Sequence, residues 1–370
     1  MRILVIMEGF FPGEKYGGPP VSVDNFCTLM NKYECYILAT NHDLNNRQEY
    51  KGINNGWNRR NNCKVKYVPD AQYNLNTYKK VINEIKPDIL YLQGLFQSCV
   101  FPCLFLAKRM GVNVLLAPRG ELCAGALSIK KWKKLPYIEM VKAMGLVKNI
   151  HWQSTSDEET EAIGKLMKAD ASHIHRLDNI PSIPKKEYPR REKIAGEGRF
   201  VFLSRIHPKK NLLSAIKYFE HIEGKACFDI YGPIEDEDYW KQCQDEMKKL
   251  PENVKVNYIG LVGHDQVHEV FSQYDAFLFP TLSENYGHVI AESLIVGTPV
   301  IISDQTPWRR LEEVGAGWDI PLTDEAKYVE AIQSIINTSK IKAEQAMGFA
   351  KNSMDLEKLH ELYAGVFENV

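Results

Sequence analysis

Two glutamates in one segment, Glu284 and Glu292, have the residue type and surroundings needed to hold a polar ligand. They lie in FPTLSENYGHVIAESLIVGTPVII, residues 279–302. The pattern predicts a turn after a buried strand at Glu284, a helix start at Gly287, and Glu292 about two turns further in. Eight residues of helix rise roughly 12 Å, so the two carboxylates cannot act as acid and base on one carbon. They are predicted to hold opposite ends of one long polar ligand.

Each glutamate suits a pair of neighbouring hydroxyls, because a carboxylate accepts two hydrogen bonds side by side. The amides of Asn285, Tyr286 and Gly287 at the helix start can face anionic or hydroxyl groups. The alternative is an exposed helix with two surface glutamates. The apolar run at 289–296 around Glu292 argues against that alternative.

Two glycines follow the first predicted strand of the first half of the chain, and two cations follow the first predicted strand of the second half. SRIHPKKN, residues 204–211, contains Arg205 and Lys210, a planar fork and a point charge suited to a diphosphate. Gly17 and Gly18 precede a predicted helix, where backbone can approach a phosphate closely. A plain turn before a helix is the alternative for the glycines, because neither GxGxxG nor a P-loop motif is present.

Short apolar runs alternate with amphipathic stretches, which is typical of parallel sheets covered by helices. A Pro-, Gly- and charge-rich stretch at 180–199 interrupts the alternation and predicts a linker between two doubly wound units. Ligands of such sheets bind beyond the carboxyl ends of the strands, so a site in a cleft between the units is expected. The predicted strands are 3–7, 35–39, 65–68, 89–92, 114–117, 151–154, 173–177, 200–203, 227–231, 254–258, 276–279 and 300–302. The predicted helices are 21–32, 76–86, 98–110, 131–146, 211–221, 240–249, 265–273, 289–296 and about 355–370.

The composition is that of an ordinary globular protein of about two domains. The chain has 370 residues, of which 44% are hydrophobic and 25% charged, and no apolar run is long enough to span a membrane. The start MRILVIMEGF predicts a first strand rather than an export signal, because Glu8 ends its apolar core. The eight cysteines form no CxxC pair, so reduced thiols and a cytoplasmic location are expected, without a metal site.

Charge is distributed unevenly along the chain. Residues 1–190 contain 27 Lys+Arg against 18 Asp+Glu, and residues 191–370 contain 19 against 29. A basic first half suits an anionic partner, and two solvated surfaces that merely differ are the alternative. Lys130, Lys131, Lys133 and Lys134 lie next to Trp132 in LSIKKWKKLPYIEMVKAMGL. This segment predicts either contact with the anionic inner face of the plasma membrane or a surface helix packed on the sheet.

These motifs together resemble the retaining glycosyltransferases of family 4, which have the GT-B fold. The resemblance rests on Arg205 with Lys210, on Glu284-x7-Glu292, and on the GTPV that follows. Three further matches are GGP at 17–19, PRG at 118–120 and QTPW at 305–308, the last two as in bacterial polysaccharide-assembly members. The resemblance implies two Rossmann-like domains, with a last helix that returns to the first domain.

The resemblance also implies a role for each matching residue. Arg205 and Lys210 would bind the donor diphosphate and stabilise the leaving nucleotide, and Glu292 would hold the ribose hydroxyls. Glu284 with the amides at 285–287 would bind the donor sugar. The nucleobase would lie near two strand-end turns, formed by Tyr231, Gly232, Gly260, Leu261 and Val262. Residues 1–185 with 355–370 would be the acceptor-side domain, and 186–354 the donor-binding domain.

One departure from the family pattern concerns the first domain. Many relatives place a histidine near the anomeric carbon, whereas this chain has Arg119 and Glu121 there, candidates for part of that role. The reaction of the family is commonly described as a front-face displacement in which the departing phosphate accepts the proton of the acceptor, so no metal is needed. Asp236, Glu237 and Asp238 resemble a DxD metal motif only by letter and predict a helix start instead.

The resulting expectation is a retaining, metal-independent transfer of a sugar from a UDP- or GDP-linked donor. The acceptor would be a glycan or a lipid-linked saccharide in surface polysaccharide assembly. No cofactor and no nucleic-acid partner are expected. A sugar-nucleotide epimerase of the same fold and a non-catalytic nucleotide-sugar or glycan-binding protein are the two alternatives.

Overall fold

Strands and helices alternate along both parts of the chain in a computed structural model that describes residues 1–13, 15–46 and 48–370. The described residues form two units, Met1–Ile180 with Leu356–Val370, and Pro181–Asp355. The first unit begins with the strands β1 Arg2–Ile6, β2 Glu34–Thr40, β3 Trp57–Arg60, β4 Cys63–Val68, β5 Ile89–Gln93, β6 Asn113–Ala117, β7 His151–Ser154 and β8 Ile174–Arg176. Up to Ile180, where the chain passes to the second unit, the helices are α1 Gly18–Leu29, α2 Leu75–Ile85, α3 Val100–Met110, α4 Ala124–Ser128, α5 Lys131–Ala143 and α6 Asp157–Met167.

The sheet of the first unit is buried on both faces. Its order is β3-β4-β2-β1-β5-β6-β7-β8, and only β3 runs antiparallel to its neighbour. Ile3 and Val5 of β1 enter one core, and Leu4 and Ile6 enter the core on the opposite face. This is why the strands appear as continuous apolar runs rather than as alternating patterns.

The second unit repeats the architecture with six parallel strands in the order β11-β10-β9-β12-β13-β14. The strands are β9 Glu197–Leu203, β10 Lys225–Tyr231, β11 Val254–Gly260, β12 Ala276–Phe279, β13 Val300–Ser303 and β14 Gly317–Ile320. The helices are α7 Leu212–Lys217, α8 Glu237–Met247, α9 Val267–Ser272, α10 His288–Ile295, α11 Glu325–Asn337 and α12 Ala343–Ser353.

The last helix, α13 Leu356–Phe367, belongs to the first unit. Tyr363 and Phe367 pack in the core against Phe26 of α1. The Tyr363 hydroxyl donates to the carbonyl oxygen of Asp178 at 2.8 Å and accepts from the Gln153 amide at 2.9 Å. The chain is therefore anchored to the first unit both where it leaves and where it returns.

The predicted α/β fold is confirmed, and the differences are local. The edge strands β3 and β14 and the helices α4, α6, α11 and α12 were not predicted. The predicted linker at 180–199 is too long, because β9 already begins at Glu197. Its Arg190 donates to Thr298 Oγ1 at 2.7 Å and to the Tyr274 carbonyl at 2.8 Å, so the polar stretch is docked on the second unit. Asp236 caps α8 by accepting from the Tyr239 amide, as the predicted helix start requires.

Candidate functional site

Two loops meet at the carboxyl edge of the second sheet, where the strands β9 and β12 are neighbours. The Lys209 carbonyl oxygen accepts from the Leu282 amide at 2.9 Å and from the Thr281 hydroxyl at 3.2 Å. The Asn211 side-chain amide donates to the Pro280 carbonyl at 3.0 Å. These bonds fix the cation-bearing loop against the loop that contains the first glutamate.

Lys210 and Glu284 form an ion pair across these two loops. Lys210 Nζ donates to Glu284 Oε1, and the side chains are only 11% and 16% exposed. Burial lowers the pKa of the Lys210 ammonium, while the Glu284 carboxylate raises it. The ammonium is also 5.5 Å from the centre of the Phe279 ring. Its charge is held at a fixed point in a poorly solvated place, which strengthens its attraction to an entering anion.

Arg205 occupies the same loop but is more exposed. Its Nη1 donates to the two Glu235 oxygens at 2.8 and 3.1 Å. The sequence analysis did not identify Glu235 as a partner, because residues 205 and 235 follow different strands. Both predicted cations therefore form ion pairs. Lys210 pairs with Glu284, which was a predicted site residue, and Arg205 pairs with Glu235, which was not.

The turn 285–287 is supported by the QTPW segment. Trp308 Nε1 donates to the Tyr286 carbonyl at 2.6 Å, and the Glu284 amide donates to the Gln305 carbonyl at 3.0 Å. Gly287 has φ 79°, in the left-handed region that favours glycine, and directly precedes α10. The shape of this turn thus depends on contacts that sequence spacing alone did not reveal.

The predicted separation of the two glutamates needs correction. Helix α10 begins at His288, so Glu292 lies little more than one turn inside it and Glu284 lies outside it. A helical rise of eight residues therefore does not apply between Glu284 and Glu292. The helix start was predicted to within one residue, and the error was to count residues 284–287, which precede the helix, as part of its rise.

Glu292 is buried at the inner side of this edge. It is 3% exposed, and burial raises the pKa of its carboxyl to about 8. His264 Nδ1, in the loop after β11, lies 3.7 Å from Glu292 Oε1. The sequence analysis missed His264, which has no motif around it and is brought to Glu292 by the fold.

The predicted nucleobase region lies at the ends of the neighbouring strands β10 and β11. The Gly232 amide donates to the Gly260 carbonyl at 2.8 Å, which joins the two turns. At Gly232 an added Cβ would lie 1.9 Å from the Ser204 carbonyl oxygen, so only glycine fits. Tyr231 is half-buried, with its hydroxyl 3.1 Å from that of Tyr274. Leu261 is 50% exposed and Val262 is half-buried beside it.

In the first unit, Gly17 and Gly18 lie at the amino end of α1. Gly17 has φ 72° and is the residue before the helix, and Gly18 is its first residue. The helix start has no side-chain cap hydrogen bond, and Pro occupies its first turn. Pro19 and Pro20 have no N–H, so Gly17, Gly18 and Val21 supply the backbone amides at this helix start.

The Arg119 side chain forms hydrogen bonds with several neutral oxygens. Its guanidinium donates to Gln93 Oε1 at 2.7 and 2.9 Å, to Asn179 Oδ1 at 2.7 Å and to the Tyr91 hydroxyl at 3.1 Å. Asn179 immediately precedes Ile180, the last residue before the crossing to the second unit. The contacts of Arg119 thus join the PRG loop to the crossing segment.

Glu121 is likewise engaged by backbone. Its Oε2 accepts from the amides of Leu95 and Phe96, the second at 3.2 Å. Burial raises the pKa of this carboxyl, and the two amides oppose that shift. A second buried carboxylate, Glu159, accepts from the amides of Gly120 and Thr155. Glu121 therefore ties the PRG loop to the residues after β5, and Glu159 ties it to the residue after β7.

Within the described residues, no group of three or more His, Cys, Asp or Glu is arranged to hold a metal ion. All eight cysteines lie in the described residues as free thiols. In the part of the chain that the structure describes, no helix has both the length and the apolar character needed to cross a membrane.

The family model "Glycosyl transferases group 1" matches residues 184–353. The O-antigen chain mannosyltransferase RfbU of Salmonella typhimurium is 26% identical over 203 residues, which are 54% of this chain and 54% of that protein.

Solved structures share the fold over the whole chain. Anabaena Alr3699/HepE in complex with UDP and glucose has a TM-score of 0.73 at 13% identity, with 100% of both chains covered. WaaG, a glycosyltransferase involved in lipopolysaccharide biosynthesis, has a TM-score of 0.67 at 14% identity, with 99% of both chains covered. The family model thus covers most of the second unit, and the solved structures share the fold of the whole chain.

Proposed function

We propose that this protein is a retaining glycosyltransferase that uses a UDP- or GDP-linked sugar donor. Its acceptor is a glycan or a lipid-linked saccharide in surface polysaccharide assembly. The observation that carries the proposal is the Lys210–Glu284 pair, which places a poorly solvated cation beside a carboxylate within the matched region 184–353. The names of two relatives support the pathway and donor class, an O-antigen chain mannosyltransferase and a protein solved with UDP and glucose.

In this proposal the second unit binds the donor. Lys210 and Arg205 bind the diphosphate, whose oxygens replace the carboxylates of Glu284 and Glu235 as partners of the two cations. Glu284, released from Lys210, accepts from hydroxyls of the donor sugar together with the amides at 285–287. Glu292 accepts from the ribose hydroxyls, and the base lies near Tyr231, Gly232, Leu261 and Val262.

The transfer step follows a front-face course. The bond between the anomeric carbon and the phosphate oxygen breaks, and a bond from the acceptor oxygen to the same face of that carbon forms. The acceptor proton passes to the departing phosphate, so no side-chain base is required. Lys210 and Arg205 stabilise the negative charge that develops on the diphosphate, which is the role a divalent metal has in other enzymes.

The first unit supplies the acceptor side. Gly17 and Gly18 present amides to the donor phosphate, and the PRG loop shapes the acceptor site. Because Arg119 and Glu121 are engaged internally, we assign them to positioning of this loop rather than to proton transfer. The location that fits these substrates is the cytoplasm, at the inner face of the membrane that contains lipid-linked saccharides.

A direct test combines the purified protein with UDP- and GDP-hexoses, with and without a lipid-linked saccharide extract. Nucleotide release that requires acceptor, with an anomeric configuration in the product that matches the donor by NMR, is the expected result. Rapid conversion of the donor without acceptor would favour an epimerase instead. Tight donor binding without turnover would favour a binding protein.

Membrane contact through α5 is a separate part of the proposal. Trp132 is 74% exposed and Ile129 is 64% exposed, next to the exposed Lys130, Lys131 and Lys133. Apolar and basic side chains exposed together suit an anionic lipid surface.

Lys134 does not share this exposed position. Its Nζ donates to the Ala126 carbonyl at 2.7 Å, and the ammonium lies 5.0 Å from the centre of the Phe96 ring. The membrane-facing part of the predicted basic segment is therefore 129–133.

Liposome sedimentation tests this contact. A variant with Lys130, Lys131 and Lys133 replaced by Ala should lose binding to anionic vesicles, whereas the matched control Lys79→Ala with Lys80→Ala should keep it. Equal sedimentation of both variants would rule out α5 as the contact.

A further inference from the structure

His264 is the polar side chain that the structure places beside the buried carboxyl of Glu292. It follows β11 at the carboxyl edge of the second sheet, four residues after Gly260. The side chains of His264 and Glu292 are 15% and 4% exposed, and 3.7 Å separates Nδ1 from Oε1. This separation is slightly longer than a hydrogen bond. A small side-chain movement would bring the imidazole and the carboxyl within hydrogen-bond distance.

We propose that His264 is a positioning residue that accepts the proton of Glu292 when the nucleotide donor binds and aims the resulting carboxylate at the two ribose hydroxyls. The inference rests on the proposed function, which assigns Glu292 to the ribose. It adds a residue that lies outside the motif Glu284-x7-Glu292. The ligand chemistry is a vicinal diol, which needs two acceptor oxygens held in one plane.

The protonation chemistry explains why Glu292 needs such a partner. Burial raises the pKa of its carboxyl to about 8, so at neutral pH the carboxyl retains its proton. A protonated carboxyl uses one oxygen as a donor, and only the carboxylate accepts from both hydroxyls. Transfer of the proton from Glu292 to the His264 imidazole gives a carboxylate and an imidazolium with no change in total charge. The two then attract each other strongly in a poorly solvated place.

The other titratable groups near His264 are poorly suited to accept this proton. His268, on α9, has a pKa lowered to about 4, mainly by burial and then by the proximity of His264. Lys185 and Asp265 form a pair of their own at 3.1 Å, so their charges largely cancel. His268 therefore stays neutral at pH 7.5 and does not compete for this proton.

A double-mutant cycle on nucleotide binding tests this inference. UDP and GDP are titrated calorimetrically into wild type, His264→Ala, Glu292→Gln and the double variant at pH 7.5. Each single change should weaken binding about tenfold, as loss of a hydrogen bond to a charged group does. The double variant should bind no more weakly than Glu292→Gln, because His264 acts through Glu292.

Two further arms separate positioning from general damage. His264→Asn retains a side-chain N–H donor and should recover part of the affinity. The 2′-deoxy nucleotide lacks one hydroxyl, so His264→Ala should weaken its binding less than twofold. The exposed His221→Ala is the matched control and should bind like wild type.

Three outcomes would contradict the inference. Additive losses in the double variant would show that His264 acts independently of Glu292. Unchanged binding by His264→Ala, with the expected loss in Glu292→Gln, would overturn the role of His264 alone. Wild-type affinity in Glu292→Gln would overturn the ribose assignment and this inference together.

Discussion

The carboxyl edges of the two sheets differ in how their charged residues are partnered. In the second unit, Lys210 and Arg205 pair with carboxylates of other loops, Glu284 and Glu235. In the first unit, Arg119 donates only to neutral oxygens in its recorded hydrogen bonds, and Glu121 accepts from backbone amides. At the second edge, an anionic ligand can replace the carboxylates that pair with the two cations. At the first edge, the hydrogen bonds fix the shape of a loop.

This difference follows from the cost of separating charges. A phosphate that enters the second edge takes over the cation while the displaced carboxylate turns to hydroxyl groups, so no charge is left without a partner. Removing Arg119 or Glu121 from its contacts would instead leave buried amides or carbonyls without hydrogen bonds. Residue types alone suggested catalysis at both edges, but their partners support a chemical role mainly at the second.

Removal of the Lys210 charge should have the largest effect. Lys210→Met keeps the aliphatic stem but removes the cation that stabilises the leaving diphosphate. We expect kcat/KM to fall by about 10³-fold in a nucleotide-release assay, the loss seen when a transition-state charge stabiliser is removed. The adjacent, exposed Lys209→Met is the control and should change kcat/KM less than threefold. Equal losses in the two variants would mean that general electrostatics, rather than the buried cation, matters.

Replacement of Glu284 should separate turnover from binding. In Glu284→Gln we expect kcat to fall by about 10²-fold while donor affinity changes only a few-fold, because the sugar is oriented by this residue and the nucleotide is held elsewhere. Steady-state kinetics and calorimetry on the same preparation give both quantities. A parallel loss of kcat and affinity would contradict its place at the sugar.

Arg119 should behave differently from the residues of the second edge. In Arg119→Met the four recorded hydrogen bonds of the guanidinium are lost, and we expect the first unit to be destabilised by about 1–3 kcal/mol. Urea unfolding, monitored by hydrogen exchange of amides in the first unit, measures this change. A fall in kcat above a hundredfold with unchanged stability would place chemistry at the first edge and remove the contrast.

Replacement of Glu292 should change stability rather than turnover alone, with a definite pH dependence. Its pKa is raised to about 8, well above the ordinary value, so its contribution to stability is present at low pH and is lost as pH rises toward 8. Glu292→Gln removes this dependence, so its free energy of unfolding relative to wild type should rise by about 3 kcal/mol between pH 5 and pH 8, at about 1.4 kcal/mol per pH unit. Thermal unfolding between pH 5 and 8 tests this, and a difference that shrinks as pH rises would refute it.

The sequence predicted the fold better than it predicted the partners within the site. Continuous apolar runs such as 3–7 and 276–279 mark buried parallel strands, and the edge strands β3 and β14 were missed because their apolar signal is weaker. Motif spacing identified Lys210, Glu284 and Glu292, since each lies near a strand end or helix start. It did not reveal that Glu235 pairs with Arg205, that His264 lies beside Glu292, or that Trp308 donates to the Tyr286 carbonyl. Those contacts join residues that are distant in the chain.

The most direct test is a crystal structure of the protein with a bound UDP- or GDP-sugar. We predict the diphosphate within hydrogen-bond distance of Lys210 and Arg205, the sugar hydroxyls at Glu284, and the ribose at Glu292. A nucleotide sugar bound elsewhere, with these four side chains still in their internal contacts, would contradict the account.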